Sequence, residues 1–185
     1  MAGNFDVVAV VGSLRKESFS KRLARGLISV APASLKIEIV SIGEMPFYNQ
    51  DLEVDPPPAS WQTFRDRVRG CHGVLFVTPE YNRGLPGVLK NAIDVGSRPY
   101  GKSVWNGKPA AVVSNSPGAI GGFGANHALR QCLPFLNMPE LQLEAYLGAS
   151  DKLFDASENF VDANTKAFCA NFMSSFESLI QHLRR

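Results

Sequence analysis

Hydroxyl-bearing residues and one arginine crowd the segment that follows the first apolar run of the chain. Residues 12–20 read Gly-Ser-Leu-Arg-Lys-Glu-Ser-Phe-Ser and lead directly into a segment with helical spacing. A helix N-terminus offers unpaired amides and a partial positive charge, serine hydroxyls donate to phosphate oxygens, and Arg15 adds a charge-assisted hydrogen bond. The segment is therefore a candidate site for a phosphate monoester. The alternative is an ordinary helix cap by Ser18 or Ser20, since serine is a preferred cap residue.

This candidate phosphate segment contains neither of the two best-known phosphate motifs. It lacks the Gly-x-Gly-x-x-Gly of dinucleotide folds, and it does not end in Gly-Lys-Ser or Gly-Lys-Thr. Because it is built on hydroxyls rather than on glycines, it suits the terminal phosphate of a mononucleotide such as FMN.

Two further polar segments have the composition of a flavin-binding loop. Residues 78–86 read Thr-Pro-Glu-Tyr-Asn-Arg-Gly-Leu-Pro, and residues 114–122 read Ser-Asn-Ser-Pro-Gly-Ala-Ile-Gly-Gly. A flavin ring is recognised at its edge by backbone amides and small side chains, while its faces stay open. These segments could supply such a slot. The alternative for Glu80 is a solvated or capping carboxylate, and Tyr81 could serve packing alone.

Alternating strands and helices must position these three segments. Short β-branched runs predict strands at Phe5–Val11, Leu35–Val40, Gly73–Val77, Ala110–Ser114 and Leu141–Leu147. Helical spacing predicts helices at Ser20–Ala31, Ala59–Cys71, Pro86–Val95, Gly122–Leu136 and Asn159–Leu183. The pattern predicts an α/β fold with a doubly wound parallel sheet, in which ligands bind beyond the carboxyl ends of the strands.

Length and charge limit the possible functions. The 185 residues, 45% of them hydrophobic, suit one domain spanning residues 1–185. The 19 basic and 17 acidic residues give a formal charge of +2, too small to indicate a nucleic-acid partner. The N-terminal apolar run is too short to span a bilayer, so we expect no membrane partner.

Cysteines and histidines show no pairing or ligand spacing. The three cysteines are odd in number and widely separated, which suits free thiols in a reducing compartment and hence a cytoplasmic protein. The three histidines are far apart as well, so we expect no metal site. The residues concerned are Cys71, Cys132, Cys169, His72, His127 and His182.

Three motifs in order resemble the NADPH-dependent FMN reductase family, and its quinone and chromate reductase members most closely. They are Gly12–Arg15, Thr78–Asn82 and Leu85–Asp94, and the resemblance covers nearly the whole chain. It implies a flavodoxin-like fold with five parallel strands in the order 2-1-3-4-5. It also implies FMN as cofactor, NADPH or NADH as electron donor, and a quinone or similar small acceptor, with free flavin, azo dyes and chromate as alternatives.

The resemblance also assigns site residues. Ser13, Arg15, Ser18 and Ser20 would hold the FMN phosphate, with Leu14 in the same cofactor-binding loop. Pro79, Glu80, Tyr81 and Asn82 would line the flavin ring and ribityl chain. Ser114, Ser116 and Gly118 would close the other side. Many members carry asparagine where this chain has Ser20, whose hydroxyl can still donate to a phosphate.

Chemistry at such a site depends on positioning, so no catalytic side chain is expected. Donor and acceptor would use one slot in turn, which is ping-pong kinetics. Backbone amides of the Ser116–Gly118 loop would stabilise negative charge on the reduced ring. The Leu85–Asp94 motif begins a helix that packs against a second subunit in such families, which implies a homodimer or homotetramer. Arg98 and Lys102 could face an anionic acceptor or the nicotinamide phosphate.

Two other functions fit parts of the sequence. Residues Gly96–Ser103 match the Walker A pattern Gly-x-x-x-x-Gly-Lys-Ser, which suggests a nucleoside-triphosphate site. That motif must follow a strand and open a helix, whereas the preceding residues read as helix. The second alternative is a non-enzymatic electron carrier of the flavodoxin type. Such carriers are typically strongly acidic for docking, and a charge of +2 provides no such field.

Overall fold

Five apolar segments form one parallel sheet with helices on both of its faces. The computed structural model describes residues 4–184. The strands are β1 (Phe5–Val11), β2 (Leu35–Val40), β3 (Gly73–Pro79), β4 (Ala110–Asn115) and β5 (Ala145–Leu147). The helices are α1 (Phe19–Ser29), α2 (Ala59–Arg69), α3 (Gly87–Gly96), α4 (Phe123–Phe135) and α5 (Ala163–Leu183). The strand order β2-β1-β3-β4-β5 confirms the flavodoxin-like topology implied by the motifs.

Strand β1 is buried on both sides, which explains its unbroken apolar run. Val8 and Val10 join one apolar cluster, which also contains Trp61 and Trp105. Val7, Ala9 and Val11 join the cluster on the opposite face, which contains Phe172 and Phe176 of α5. The central strands are thereby fixed from both sides, and so are the loops that leave their carboxyl ends.

Strand β5 begins at Ala145, so the predicted start at Leu141 is wrong. The backbone carbonyls of Leu141 and Leu143 accept hydrogen bonds from the Arg130 guanidinium at 3.1 and 3.3 Å. Only the short stretch from Ala145 pairs along β4 as a strand. The carbonyls of Leu141 and Leu143, predicted to lie in a strand, are therefore bound by a side chain of α4.

Helix α5 begins at Ala163, four residues later than the predicted start at Asn159. The Asp162 carboxylate accepts from the Thr165 amide at 2.6 Å and caps the helix. Upstream of this cap, the Phe160 ring packs on Phe154 with centroids 4.6 Å apart. Phe160, whose spacing suggested an earlier start of the helix, therefore lies in a loop.

The Walker-like segment Gly96–Ser103 is not a phosphate loop. It follows α3 rather than a strand, and Ser97 caps the carboxyl end of that helix. No helix follows until α4, because the segment leads through a loop to β4. Since β4 starts at Ala110, the segment lies at the amino edge of the sheet.

Residues 4–184 contain neither a helix that could span a membrane nor a cluster of metal-ligating side chains. No helix in this range has both the length and the apolar character needed to cross a bilayer. No group of three or more histidine, cysteine or acidic side chains in this range could hold a metal ion.

Candidate functional site

A cleft of about 120 Å³ opens at the carboxyl edge of the sheet, between the segments that follow β1, β3 and β4. This is the place where the winding direction reverses, the usual ligand site of doubly wound folds. Its lining combines the three segments singled out from the sequence: Ser13, Arg15, Ser18, Phe19, Ser20, Pro79, Glu80, Tyr81, Asn115, Ser116 and Pro117.

The β1 side of the cleft ends on the N-terminus of α1. Ser13, Ser18 and Ser20 are buried against this end of the helix. Ser18 is its N-cap, because its hydroxyl oxygen accepts from the Lys21 amide at 3.2 Å. The capping alternative is thus realised, yet an accepting hydroxyl keeps its own proton to donate. The Ser18 proton is therefore free for a bound anion.

Arg15 supplies positive charge to the same end of the cleft. Its guanidinium lies over the Phe19 ring, 5.4 Å from the centroid, which orients the side chain without neutralising it. The first-turn amides of α1 add a partial positive charge at this end. Hydroxyl donors, an arginine and a helix N-terminus therefore converge as a phosphate monoester requires.

Gly12 brings the turn after β1 close to the end of β3. A Cβ at this position would lie 3.1 Å from both Thr78 Oγ1 and Leu89 Cδ2. A larger residue would require these neighbours to shift by a few tenths of an ångström. Gly12 therefore allows the turn after β1 to lie against the end of β3.

Asn115 is a site residue that the sequence analysis missed. It lines the cleft at the last position of β4, and its Oδ1 accepts a buried hydrogen bond of 2.7 Å from Ser20 Oγ. The missed signal was a polar residue ending an apolar strand. The predicted Ser114 instead lies below the cleft, fully buried, where its hydroxyl donates to the Gly121 carbonyl at 2.8 Å.

The other two residues predicted in the β4 loop behave differently from each other. Ser116 lines the cleft together with Pro117, whereas Gly118 does not. The Ser116 amide donates to the Leu147 carbonyl at 3.1 Å, and the Gly118 amide donates to Ser116 Oγ at 3.2 Å. Pro117 has no amide hydrogen. The expectation that this loop offers free amides to a reduced ring is therefore not met by this arrangement.

The loop after β3 forms a tight hairpin that we call the lip, residues 81–84. The backbone groups of Tyr81 and Gly84 pair in both directions at 3.1 and 3.0 Å. The two central residues, Asn82 and Arg83, have φ of 51° and 64°, the pattern of a type I′ turn. Tyr81, 46% exposed, faces the cleft, while Asn82 lies at the tip and outside the lining.

Glu80 connects the lip to α4. One carboxylate oxygen accepts from the Ala125 amide in the first turn of α4 at 3.2 Å, where negative charge is favoured. Gly124 permits this approach, because a Cβ there would lie 2.7 Å from the Arg83 carbonyl oxygen. Glu80 thus borders the cleft and also acts as the helix cap that was its alternative role.

The β2–α2 loop is held against α3 by Asn91, a buried polar residue that the sequence pattern did not single out. Its Nδ2 donates to the Pro46 carbonyl at 3.0 Å, and its Oδ1 accepts from the Tyr48 amide at 2.7 Å. Leu14 packs against this loop, 3.1 Å from the Cβ position at Gly43, and is not part of the cleft lining.

The structure does not bring Arg98 and Lys102 to the cleft of the same chain. Both follow α3, which runs from the carboxyl edge of the sheet to its amino edge. The ten residues of α3 separate them from the lip by about 15 Å of helix. Any contact they make with a cleft would have to be with that of another subunit.

A cluster of titratable groups lies on the outer flank of α4 and β5. His127 Nε2 lies 2.9 Å from Tyr146 Oη, and the Phe123 ring packs on His127 with centroids 4.1 Å apart. Burial, reinforced by hydrogen bonding to Glu144 and by its charge, raises the pKa of Tyr146 to about 12. The tyrosine is therefore neutral at physiological pH.

The chain is similar to known proteins over most of its length. Residues 5–151 match the model of the NADPH-dependent FMN reductase family. A quinone reductase of Pseudomonas putida is 57% identical, with 98% of this chain and 97% of the relative covered. A 2-hydroxy-1,4-benzoquinone reductase of a Burkholderia species is 41% identical over 96% of this chain and 97% of that relative. The structure of FerB, a flavoenzyme NAD(P)H:(acceptor) oxidoreductase of Paracoccus denitrificans, superimposes with a TM-score of 0.91 at 38% identity, covering 96% of this chain and 98% of FerB.

Proposed function

This chain belongs to the NADPH-dependent FMN reductase family, and we propose that it holds FMN in the cleft and passes electrons from NADPH or NADH to a quinone. The family match confirms the resemblance drawn from the three motifs, with FMN as cofactor and NAD(P)H as donor. The quinone follows from the names of the relatives that are 57% and 41% identical.

The proposal rests on the hydrogen-bond donors at one end of the cleft. Ser13, Ser18 and Arg15 meet the N-terminus of α1 at one end of the cleft. The Ser20 hydroxyl donates to Asn115 instead. The only carboxylate in the lining, Glu80, is turned toward the Ala125 amide and the Arg83 guanidinium. The donor set fits a phosphate monoester, as FMN requires.

The remaining lining fits a planar ring. When bound, FMN supplies the two-electron carrier that accepts a hydride and later gives it up. Pro79, Tyr81 and Pro117 provide apolar surface that excludes water from the ring. The Ser20–Asn115 hydrogen bond fixes the spacing between the β1 and β4 sides of the slot. These residues position the reactants and carry no proton in the reaction.

A cleft shared by donor and acceptor favours ping-pong kinetics, because both would need the same face of one ring. We expect parallel double-reciprocal plots when NADPH and a benzoquinone are varied against each other. Intersecting plots would require both substrates to be bound together and would contradict this part of the proposal.

The first experiment is flavin binding by the purified protein. The wild type should be yellow, and after removal of flavin it should recover the colour with added FMN. Arg15→Gln should weaken FMN binding by about tenfold or more, since it loses a charge-assisted bond to a dianion. Lys166→Gln, an exposed change on α5, should leave it unchanged. A wild-type protein that is colourless and retains no FMN would refute the proposal.

The second experiment separates an enzyme from an electron carrier of the flavodoxin type. The yellow protein should oxidise NADPH or NADH repeatedly when a quinone is present. Free flavin, an azo dye and chromate serve as competing acceptors in the same assay. A flavin-loaded protein without turnover would leave the carrier as the function.

We further propose that the chain forms a homodimer in which Arg98 and Lys102 approach the cleft of the partner, with a homotetramer as a larger assembly. A surface groove between α3 and α4 lies next to Arg98, and Phe135 at its edge is 89% exposed. Tyr100, 90% exposed, extends the same apolar surface. Phe135→Glu should shift the mass measured by light scattering toward the monomer and lower turnover.

We place the protein in the cytoplasm. All three cysteines are free thiols, as suits a reducing compartment. Fractionation of cells that produce the protein should recover it with cytosolic markers.

A further inference from the structure

Arg83 occupies a backbone conformation that favours glycine. Its φ of 64° lies in the left-handed region, and it is the second central residue of a type I′ turn. The first central residue is asparagine, which tolerates this region, while the second position prefers glycine. An arginine there is conformationally unfavourable, and such residues tend to occur where the side chain has a function.

Contacts of the lip with itself and with α4 fix the backbone of this residue. The paired backbone groups of Tyr81 and Gly84 close the turn, and Glu80 fastens it to the Ala125 amide. The Arg83 carbonyl packs against Gly124. The position of the Arg83 Cα is thereby set by contacts on two sides of the turn.

The guanidinium itself is almost unengaged. Its side chain is 77% exposed, and its one ion pair, to Glu80, is long at 3.4 Å. Five other arginines each lie beside a carboxylate at 3.2 Å or closer: Arg25, Arg65, Arg67, Arg69 and Arg130. Arg83 is therefore a cation next to the cleft with its hydrogen-bond donors available to a ligand.

The position of Arg83 separates it from the phosphate end of the cleft. Arg15 and the adjacent Lys16 lie on the β1 side, whereas Arg83 follows Tyr81 on the β3 side. A donor whose nicotinamide enters the cleft must lead its phosphates out across the rim. A quinone carries no phosphate and needs no such cation.

We propose that Arg83 binds a phosphate group of the reduced nicotinamide dinucleotide. It therefore contributes to the affinity for the electron donor and not to the affinity for the quinone. The inference rests on the proposed function. The planar guanidinium can donate two parallel hydrogen bonds to one phosphate, a fork geometry that an ammonium group lacks. The phosphate is either the pyrophosphate, common to NADH and NADPH, or the 2′-phosphate found in NADPH alone.

The test uses the flavin-loaded protein and three variants. Arg83→Gly removes the charge and relieves the backbone, Arg83→Lys keeps the charge without the planar fork, and Lys166→Gln is the charge control on α5. Calorimetric titration with NADP⁺ and NAD⁺ measures binding without turnover. Steady-state assays give KM for NADPH, NADH and a benzoquinone.

In Arg83→Gly we expect the Kd for NADP⁺ and the KM for NADPH to rise about five- to tenfold, with the quinone KM unchanged. Arg83→Lys should lie between wild type and Arg83→Gly. The same rise with NAD⁺ and NADH assigns the pyrophosphate, whereas no rise with them assigns the 2′-phosphate. Added salt should weaken wild-type binding more than that of Arg83→Gly.

Unchanged values for both dinucleotides in Arg83→Gly would overturn the inference. A rise in the quinone KM equal to that of the donor would overturn it too, since it would indicate a general change of the cleft. Either result in a yellow, active protein leaves the proposed function intact. Loss of flavin binding by the wild type would instead be the failure of that function.

Discussion

Ser20 and Asn115, 95 residues apart in the sequence, share a buried hydrogen bond of 2.7 Å that ties the first turn of α1 to the end of β4. Ser20→Ala should leave the Asn115 oxygen buried without its donor, which costs about 1–3 kcal/mol of unfolding free energy. Urea unfolding followed by circular dichroism measures the change. Ser178→Ala, on the exposed side of α5, is the control and should change stability by less than about 0.5 kcal/mol. Equal effects of the two changes would contradict the importance of this bond.

Ser18 has two predicted roles that one substitution can separate. Aspartate is as good an N-cap as serine, so Ser18→Asp should keep the stability of the helix. Its carboxylate would repel a phosphate at the same place, so FMN affinity should fall by at least about tenfold. Ser18→Ala should lose about 1 kcal/mol of stability as the cap disappears. Flavin fluorescence titration and urea unfolding measure the two quantities, and unimpaired FMN binding by Ser18→Asp would exclude Ser18 from the phosphate site.

Gly124 and Gly87 form a matched pair in the first turns of α4 and α3. A Cβ on Gly124 would lie 2.7 Å from the Arg83 carbonyl oxygen, whereas a Cβ on Gly87 would meet nothing within 4 Å. Gly124→Ala should therefore displace the lip and cost about 1–3 kcal/mol. Gly87→Ala should be neutral or stabilising by up to about 1 kcal/mol, because alanine favours the helix. Thermal unfolding of both variants tests this, and equal melting temperatures would show that the lip does not rest on α4.

Tyr146 should make the stability of the protein sensitive to alkaline pH. Burial, assisted by Glu144, raises the pKa of Tyr146 to about 12 in the folded state, above the ordinary tyrosine value of 10.0. The folded state therefore binds the phenol proton more tightly than the unfolded state. This contribution is fully present below about pH 10 and is lost as the pH rises through 12.

The measurement is the unfolding free energy of the wild type and of Tyr146→Phe from pH 8 to pH 11.5. The wild type should lose more stability than Tyr146→Phe over the upper part of this range, since the other titrating groups are common to both. Parallel curves would show that the pKa of Tyr146 is not raised by folding.

The sequence was sufficient for the sheet and for the three segments around the cleft. The buried run Phe5–Val11 and its counterparts show which segments are strands, and the order of a doubly wound sheet then brings the loops after β1, β3 and β4 together. The end of β4 was not predicted correctly from the sequence. A strand predicted to end at Ser114 in fact includes Asn115, and successive side chains point to opposite sides. At the end of β4 it is therefore Asn115, and not the predicted Ser114, that lines the cleft.

Other features depend on partners that are distant in sequence. Asn91 reads as part of a helix motif, yet its amide holds the backbone of Tyr48, 43 residues earlier. Arg130 reads as a surface residue of α4, and its contacts with Leu141 and Leu143 shorten β5. Buried polar contacts of this kind arise from tertiary packing, and neither apolar periodicity nor local propensity reports them.

The eleven residues that line the cleft belong to neither of the two apolar clusters beneath it. The apolar core and the lining of the cleft are therefore formed by different sets of positions. A combinatorial library confined to the rim positions 81, 116 and 117 should yield mostly soluble yellow clones with altered acceptor range. New catalysts can be selected from such a library without redesigning the scaffold.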